Sequence, residues 1–254
     1  MVIMAQPCEL DSILALRDAY RLEMSCHVIH DSIHSRPGWT QEYSLRIDDR
    51  QVGYGSVAIA GPWRENPALY EFFVARPYRL KLFELFAALR KACGARRMET
   101  QSNDVLTTVM FNACATNVLT ESILFRDEVT TYLAPVGAKF RTATAEDGLD
   151  ISSQQVPWHG VVEVDGAIAA TGGILFHYNR PYGDIYMDVR EEFRRRGLGS
   201  FIVQELKRVC YEGGFKPGAR CSPKNIPSQR TLQKAGFVPY GNILVGDLPP
   251  IEGA

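Results

Sequence analysis

What the sequence lacks narrows the field first. No apolar run approaches the roughly 20 residues that a membrane-spanning helix needs, and Glu9 and Asp11 stand where a secretory signal would be apolar. An excess of one charge is missing too. Lys and Arg number 28 against 29 Asp and Glu, a formal net charge of −1, so nothing in the balance calls for nucleic acid or an anionic membrane. The cysteines (Cys8, Cys26, Cys93, Cys114, Cys210 and Cys221) form no C-x-x-C pair and no regular framework, which argues against a zinc site and a disulfide scaffold. These absences leave the expectation of a cytoplasmic enzyme of 254 residues, 46% hydrophobic and 22% charged. That length favours two cores over one.

Against this plain background, one stretch stands out: EEFRRRGLGSF, Glu191 to Phe201. The residues before it, Asp184 to Val189, are β-prone and follow the turn-like Asn179-Arg180-Pro181-Tyr182-Gly183. After it, Leu198, Phe201, Ile202, Leu206, Val209 and Cys210 recur at helical spacing until Gly213-Gly214. A strand, a basic glycine loop and a helix are therefore expected. Glycine lets backbone approach a ligand, and the first N–H groups of a helix have no intrahelical acceptor, so a phosphate is the natural guest. A Walker A loop is excluded because no lysine follows either glycine, and the dinucleotide fingerprint lacks its third glycine.

What fits is Arg-x-x-Gly-x-Gly over Arg194, Gly197 and Gly199, which resembles the acyl-CoA pyrophosphate loop of the GNAT (GCN5-related) N-acetyltransferases. A second block follows in order. ARCSPKNIPSQRTLQKAGF offers a short strand at Ala219-Arg220-Cys221, Asn225 and Ser228 at spacing three, and a helix closing on Gly236-Phe237. It resembles the family's second motif, although Asn225 also reads as a plain helix cap with Pro227 in the first turn. The resemblance implies an acetyl-CoA site formed by Met187, Val189, Arg194, Arg195, Arg196, Gly197, Leu198, Gly199, Ser200, Asn225 and Ser228. It implies attack of a primary amine on the thioester, with no metal.

For a base, the same resemblance favours Asp188, with Asp184 second; strand alternation is taken to turn only one of them into the site. Many members use a tyrosine as acid four residues before the Gly-Phe glycine, a position held here by Leu232. Tyr178, Tyr182 or Tyr240 could reach in from elsewhere, or water or the amine itself could protonate the thiolate. A non-catalytic acyl-CoA sensor or binding module is the alternative, and a scaffold of two pseudo-enzymes a further one.

The carboxy-terminal half continues the pattern with a hairpin turning at Asp165-Gly166. Between its first and second strands, only a polar segment around Thr144 to Pro157 stands where family members place two helices. The amino-terminal half repeats the order of strand pair, strand, helix, short strand and helix, which suggests tandem copies. Its junction, Val74 to Leu80, has no glycine and hence no phosphate cradle. The expected fold is α/β: two tandem GNAT-like domains, each a mixed, mostly antiparallel sheet flanked by helices, at residues 1–134 and 135–254. On a helix continued past Met24, Tyr20, His27, His30 and His34 would share a face. Metal ligation, hydrogen-bonded burial, or an acceptor wall made of Tyr20, His27 and His30 all remain open for that stripe. The sequence does not name the amine or fix the oligomeric state.

Overall fold

The structure is a computed structural model, and it describes residues 1–27, 30–149 and 158–250. The chain forms two compact units. Unit 1 comprises Met1–Cys26, His30–Glu121 and Asn242–Ala254; unit 2 comprises His27–Ile29 and Ser122–Gly241. Strands β6 (Thr116–Asp127) and β12 (Phe237–Asp247) each contribute residues to both units.

Unit 1 carries β1 (Ile3–Cys8), α1 (Leu14–Met24), α2 (His30–His34), β2 (Thr40–Ile47), β3 (Arg50–Ala58), β4 (Ala68–Val74), α3 (Leu82–Cys93), β5 (Arg97–Gln101) and α4 (Val105–Cys114). Strands β1 to β4 pair antiparallel in sequence order. Strand β4 then pairs parallel with β5 over Ala68–Leu69 and Arg97–Met98 alone. Ile243–Asp247 of β12 completes this sheet on the far side of β5. Edge strand β1 was not expected; Pro7 and the polar Gln6 hide its alternation, and an edge tolerates a proline that a central strand would not. Leu85, Phe86 and Leu89 of α3 meet Leu45, Tyr54 and Phe72 in the core.

Unit 2 carries β7 (Ala138–Thr142), β8 (Trp158–Val164), β9 (Ala167–Leu175), β10 (Tyr182–Val189), α5 (Leu198–Glu212), β11 (Lys216–Cys221) and α6 (Ile226–Lys234). The β8–β9 hairpin turns at Asp165 and Gly166, both at positive φ, as its sequence anticipates. Strands β7 to β10 are antiparallel, β10 and β11 are parallel, and β11 pairs antiparallel with Ile123–Arg126 of β6. The sequence conceals β6 because its first six residues are exposed and the adjacent Leu124 and Phe125 are both buried, leaving no period of two. Helix α5 drives Ile202, Val203, Leu206 and Cys210 onto the sheet, where they meet Val162, Ala170 and Ile174. Of the polar segment expected in place of two helices, Ala145–Asp147 form a short 3-10 turn capped by Thr144, and residues 150–157 lie outside the described residues.

Two readings of the amino-terminal helix are corrected. Helix α1 stops at Met24 because Ser25 is left-handed at φ 54°, so no continuous helix carries the tyrosine–histidine stripe. Tyr20 is packed edge-on against Tyr54 and Phe73 in the core of unit 1 and is 1% exposed, which removes it from any substrate wall. His34 lies in that unit too, and His27 in unit 2. The side chain of His30 lies outside the described residues. Among the described residues there is no group of three His, Cys, Asp or Glu side chains that could hold a metal, and no helix is long and apolar enough to cross a membrane.

Candidate active site

The parallel pairing of β10 with β11 is short. It covers Tyr182–Asp184 and Lys216–Gly218, yet β10 runs on to Val189 with its other edge paired to β9 throughout. The strands therefore splay beyond Asp184. The Arg190 N–H donates to Ala169 of β9, so strand alternation turns the backbones of Met187 and Val189 toward the open edge.

Helix α5 starts beside that edge. Arg195 at φ 63° and Gly197 at φ 80° bend the chain into the helix, with Gly197 as its left-handed N-cap. Among the described residues, no hydrogen-bond acceptor faces the consecutive backbone N–H groups of Arg195 to Ser200. The Arg194 Nε donates to the Val189 carbonyl at 3.1 Å and ties the loop to the strand end. Exposed Arg195 and Arg196 flank the loop, and the Lys234 Nζ comes within 3.6 Å of where a Cβ on Gly197 would stand. Free N–H groups, guanidiniums and an ammonium around a positive-φ glycine suit a pyrophosphate. Gly199 has a different reason to be glycine. A Cβ there would stand 3.1 Å from Thr231 Cγ2 and 3.4 Å from Val189 Cγ2, so it permits close packing of α5 on α6 and β10.

The remaining cofactor candidates divide. Leu198 is buried in the core, and the Ser200 hydroxyl donates to the Thr231 carbonyl at 3.0 Å, leaving only their backbone N–H groups to the loop. The Asn225 side chain caps α6 by accepting from the Ser228 N–H at 3.1 Å, its plain reading, while Ser228 borders the cleft described next.

A cleft of about 290 Å³ opens at the splay, lined by Leu175, Asp184, Ile185, Tyr186, Met187, Arg220, Ser228 and Leu232. The lining comes from both faces of the sheet. Ile185, Met187 and Leu232 belong to the helix-covered core, whereas Asp184 and Tyr186 alternate to the opposite face. Asp184 and Asp188 stand on the same face, four residues apart, so alternation cannot choose between them as expected. Depth does: Asp184 is 5% exposed and lines the cleft, and Asp188 is exposed and does not.

Asp184 has two basic neighbours. His177 Nε2 lies 2.9 Å from Asp184 Oδ2, and Arg220 Nε lies 3.9 Å from the same oxygen. Tyr178 is fully buried; desolvation, and then the Asp184 charge, raise its pKa well above 10. Its hydroxyl has no partner within hydrogen-bond distance among the described residues, and it does not line the cleft. Tyr182 and Tyr240 instead pack with Tyr178 around His27, at ring separations of 5.1 to 5.7 Å. His27 is wholly buried, neither ring nitrogen has a hydrogen-bond partner among the described residues, and desolvation lowers its pKa to about 4.

The phenol at the cleft is Tyr186, whose hydroxyl is 3.2 Å from His159 Nδ1 and whose pKa is raised by partial burial. Sequence reasoning missed Tyr186, His177 and Arg220. A period of two from Asp184 points to Tyr186; nothing local points to the other two.

Residues 124–237, all within unit 2, match the family model described as Acetyltransferase (GNAT) family. No curated protein matches the chain. Among solved structures, it is similar to an acetyltransferase of the GNAT family from Colwellia psychrerythraea, with a TM-score of 0.73 and 14% identity over 96% of this chain and 99% of that one. It is also similar to a tandem GNAT protein from the clavulanic acid biosynthesis pathway, with a TM-score of 0.64 and 14% identity over 99% and 100%. A GCN5-related N-acetyltransferase from Sphaerobacter thermophilus matches at a TM-score of 0.60 and 14% identity over 98% and 97%. At these identities the likeness is one of fold, and it extends over both units.

Proposed function

Residues 124–237 are a domain of the GNAT acetyltransferase family, and from that premise we propose that the chain is an acetyl-CoA-dependent N-acetyltransferase acting on a primary amine. Unit 2 holds the donor and the chemistry; unit 1 is a copy that has lost its phosphate loop. The observation that carries this reading is the cleft at the β10–β11 splay, open to both faces of the sheet beside the free N–H groups of α5.

Acetyl-CoA supplies a carbonyl carbon activated as a thioester and a pyrophosphate by which it can be held. The N–H groups of Arg195 to Ser200, with Arg195, Arg196 and Lys234, hold the pyrophosphate. Met187 and Val189 offer N–H groups to the pantetheine and the carbonyl along the open strand edge. Apolar Met187, Ile185 and Leu232 keep water away from the thioester.

The acceptor arrives as an ammonium and must shed two protons to become an amide. Asp184 takes the first and makes the nitrogen nucleophilic, and His177, hydrogen-bonded to it, carries that proton on toward solvent. As the N–C bond forms and the C–S bond breaks, the second proton ends on sulfur, giving amide and free thiol. With Leu232 where many members have a tyrosine, Tyr186 is the phenol at the cleft that can deliver it.

Calorimetry with acetyl-CoA, followed by an amine screen that reads out free thiol, tests the reading. One acetyl-CoA per chain and thiol release with at least one amine are expected. Failure to bind acetyl-CoA would sink the proposal, and binding without turnover across a broad amine panel would make the chain an acyl-CoA-binding module instead.

A further inference from the structure

The face of the cleft opposite the helices carries one negative and one positive group side by side. Asp184 supplies the carboxylate. The Arg220 guanidinium lines the same cleft, lies over the Tyr178 ring at 5.9 Å, and is 32% exposed. Its nearest acidic atom, Asp184 Oδ2, is 3.9 Å away, beyond hydrogen-bond range. Among the described residues nothing accepts a hydrogen bond from the guanidinium, although an arginine carries five donors in a planar fork suited to an oxyanion. Asp184 is already engaged by His177. The fold therefore holds a half-buried cation at the acceptor end of the cleft with its fork unspent.

With Asp184 at 3.9 Å and part of its surface open, the guanidinium is charge-balanced but lacks a hydrogen-bonded acceptor, a place that an oxyanion in the cleft can take. A structural role for Arg220 would be met by a closer pair with Asp184, since Arg220 stands two positions past Gly218, the residue that pairs with Asp184 across β10–β11. Arg220 instead projects from β11 where the strands have already parted. The loop side of the cleft has its own cations in Arg195, Arg196 and Lys234, so a pyrophosphate there does not need Arg220.

We propose that the acceptor is a small free amino acid, with its ammonium at Asp184 and the neighbouring carboxylate on the Arg220 fork. This rests on the acyl-transfer reading above. Adjacent opposite charges in the cleft match adjacent opposite charges on a zwitterion, and a cleft of about 290 Å³ suits a small molecule. Bidentate guanidinium–carboxylate pairing then fixes which way the amine points. An amine without an anionic group would leave the guanidinium's hydrogen-bond fork unfilled, so the site favours the zwitterion over it.

The test compares the common amino acids with their amides and decarboxylated amines, with O-phosphoethanolamine as a phosphate-bearing control. Both thiol release and calorimetric binding to the acetyl-CoA-loaded protein are read. At least one amino acid should be preferred more than 10-fold in kcat/KM over its amide and its amine, and Arg220→Gln should erase that preference through KM while leaving the affinity for acetyl-CoA unchanged. Equal use of uncharged amines would overturn the acceptor class while leaving acyl transfer intact, and preference for O-phosphoethanolamine would overturn the carboxylate. A fall in acetyl-CoA affinity with Arg220→Gln would assign the guanidinium to the donor instead. If amino acids bind in an Arg220-dependent way without thiol release, the site stands and the transfer reading fails; if none binds and none reacts, both fail.

Discussion

The two units meet the same topological problem and solve it oppositely. In each, a parallel pair of strands begins and then parts: β4 from β5 after Leu69, β10 from β11 after Asp184. In each, the helix after the shorter strand is capped by a side chain at spacing three, Asp104 accepting from the Thr107 N–H and Asn225 from the Ser228 N–H. Unit 2 leaves its gap open. Unit 1 fills it: the Thr107 hydroxyl donates to the Phe72 carbonyl on β4, and Tyr70, Glu71, Phe72, Phe73 and Val74 are all buried.

The filling includes charge. Arg17 pairs bidentately with Glu71, which also accepts from the Tyr54 hydroxyl, and His34 sits between Glu42 at 3.0 Å and Glu71 at 3.3 Å. Where unit 2 leaves the Arg220 guanidinium without a hydrogen-bond acceptor among the described residues, unit 1 ties Arg17, His34 and Glu71 into one buried network. Its helix junction differs in kind as well, being a 3-10 turn from Arg76 to Lys81 without the left-handed glycine that frees N–H groups at Gly197. An open cleft and a filled core are alternative outcomes of one kind of strand splay.

The largest expected effect breaks unit 1. Glu71→Gln leaves buried Arg17 with Asp31 as its remaining charged partner and should cost about 3 kcal/mol, read as a fall in chemical-denaturation midpoint. A near-neutral result would mean that the network is not what closes this gap. On the open side, Gly197→Val should weaken acetyl-CoA binding about 100-fold or more, as when about two hydrogen bonds to a charged group are lost. Leu80→Ala, at an exposed position of the unit 1 junction, should leave that affinity unchanged. Equal losses would erase the contrast.

Within the cleft, Asp184→Asn should lower kcat about 100-fold with acetyl-CoA affinity retained, whereas Asp188→Asn should stay near wild type. A reversal of that order would move the base outward along β10. Tyr186→Phe should lower kcat by about 10-fold or more if the phenol gives the proton to sulfur, and Tyr178→Phe should not.

The last effect is one of pH, and it separates the units by sign. Burial alone would lower the pKa of His34, but Glu71 and Glu42 outweigh it and raise it to about 8, above the unfolded value near 6.5. Its stabilisation is complete below about pH 6.5 and is lost as pH rises through 8, about 2 kcal/mol in all. His27 is lowered to about 4, so the unfolded chain binds the extra proton, and stability falls as pH drops from about 6.5 toward 4. Hydrogen exchange resolved by peptide should show unit 1 loosening on the alkaline side and unit 2 on the acid side. Loosening of both units on the same side would discard the contrast.

Much was legible because it is local. The basic loop, the Gly197 turn, the periodicity of α5, the Asp165–Gly166 hairpin and the Asn225 cap are each set by residues within a few positions of one another, where backbone preference and helix spacing act directly. The repeat of element order was visible for the same reason. The helix break at Ser25 was not, since a serine in a left-handed cap leaves no compositional mark.

What the sequence by itself determined is a glycine-bearing helix junction in one half and its absence in the other, because a positive-φ glycine and free helix N–H groups need only neighbouring residues. Tertiary structure alone decided that β6 and β12 each contribute to both units, that Asp184 is buried at the cleft while Asp188 is exposed, and that Asp184 meets His177 and Arg220. Those depend on where β11 leaves β10, a divergence set by packing between segments more than thirty residues apart in the chain. Alternation along a strand fixes which face a side chain takes, but only its partner strands fix whether that face is open.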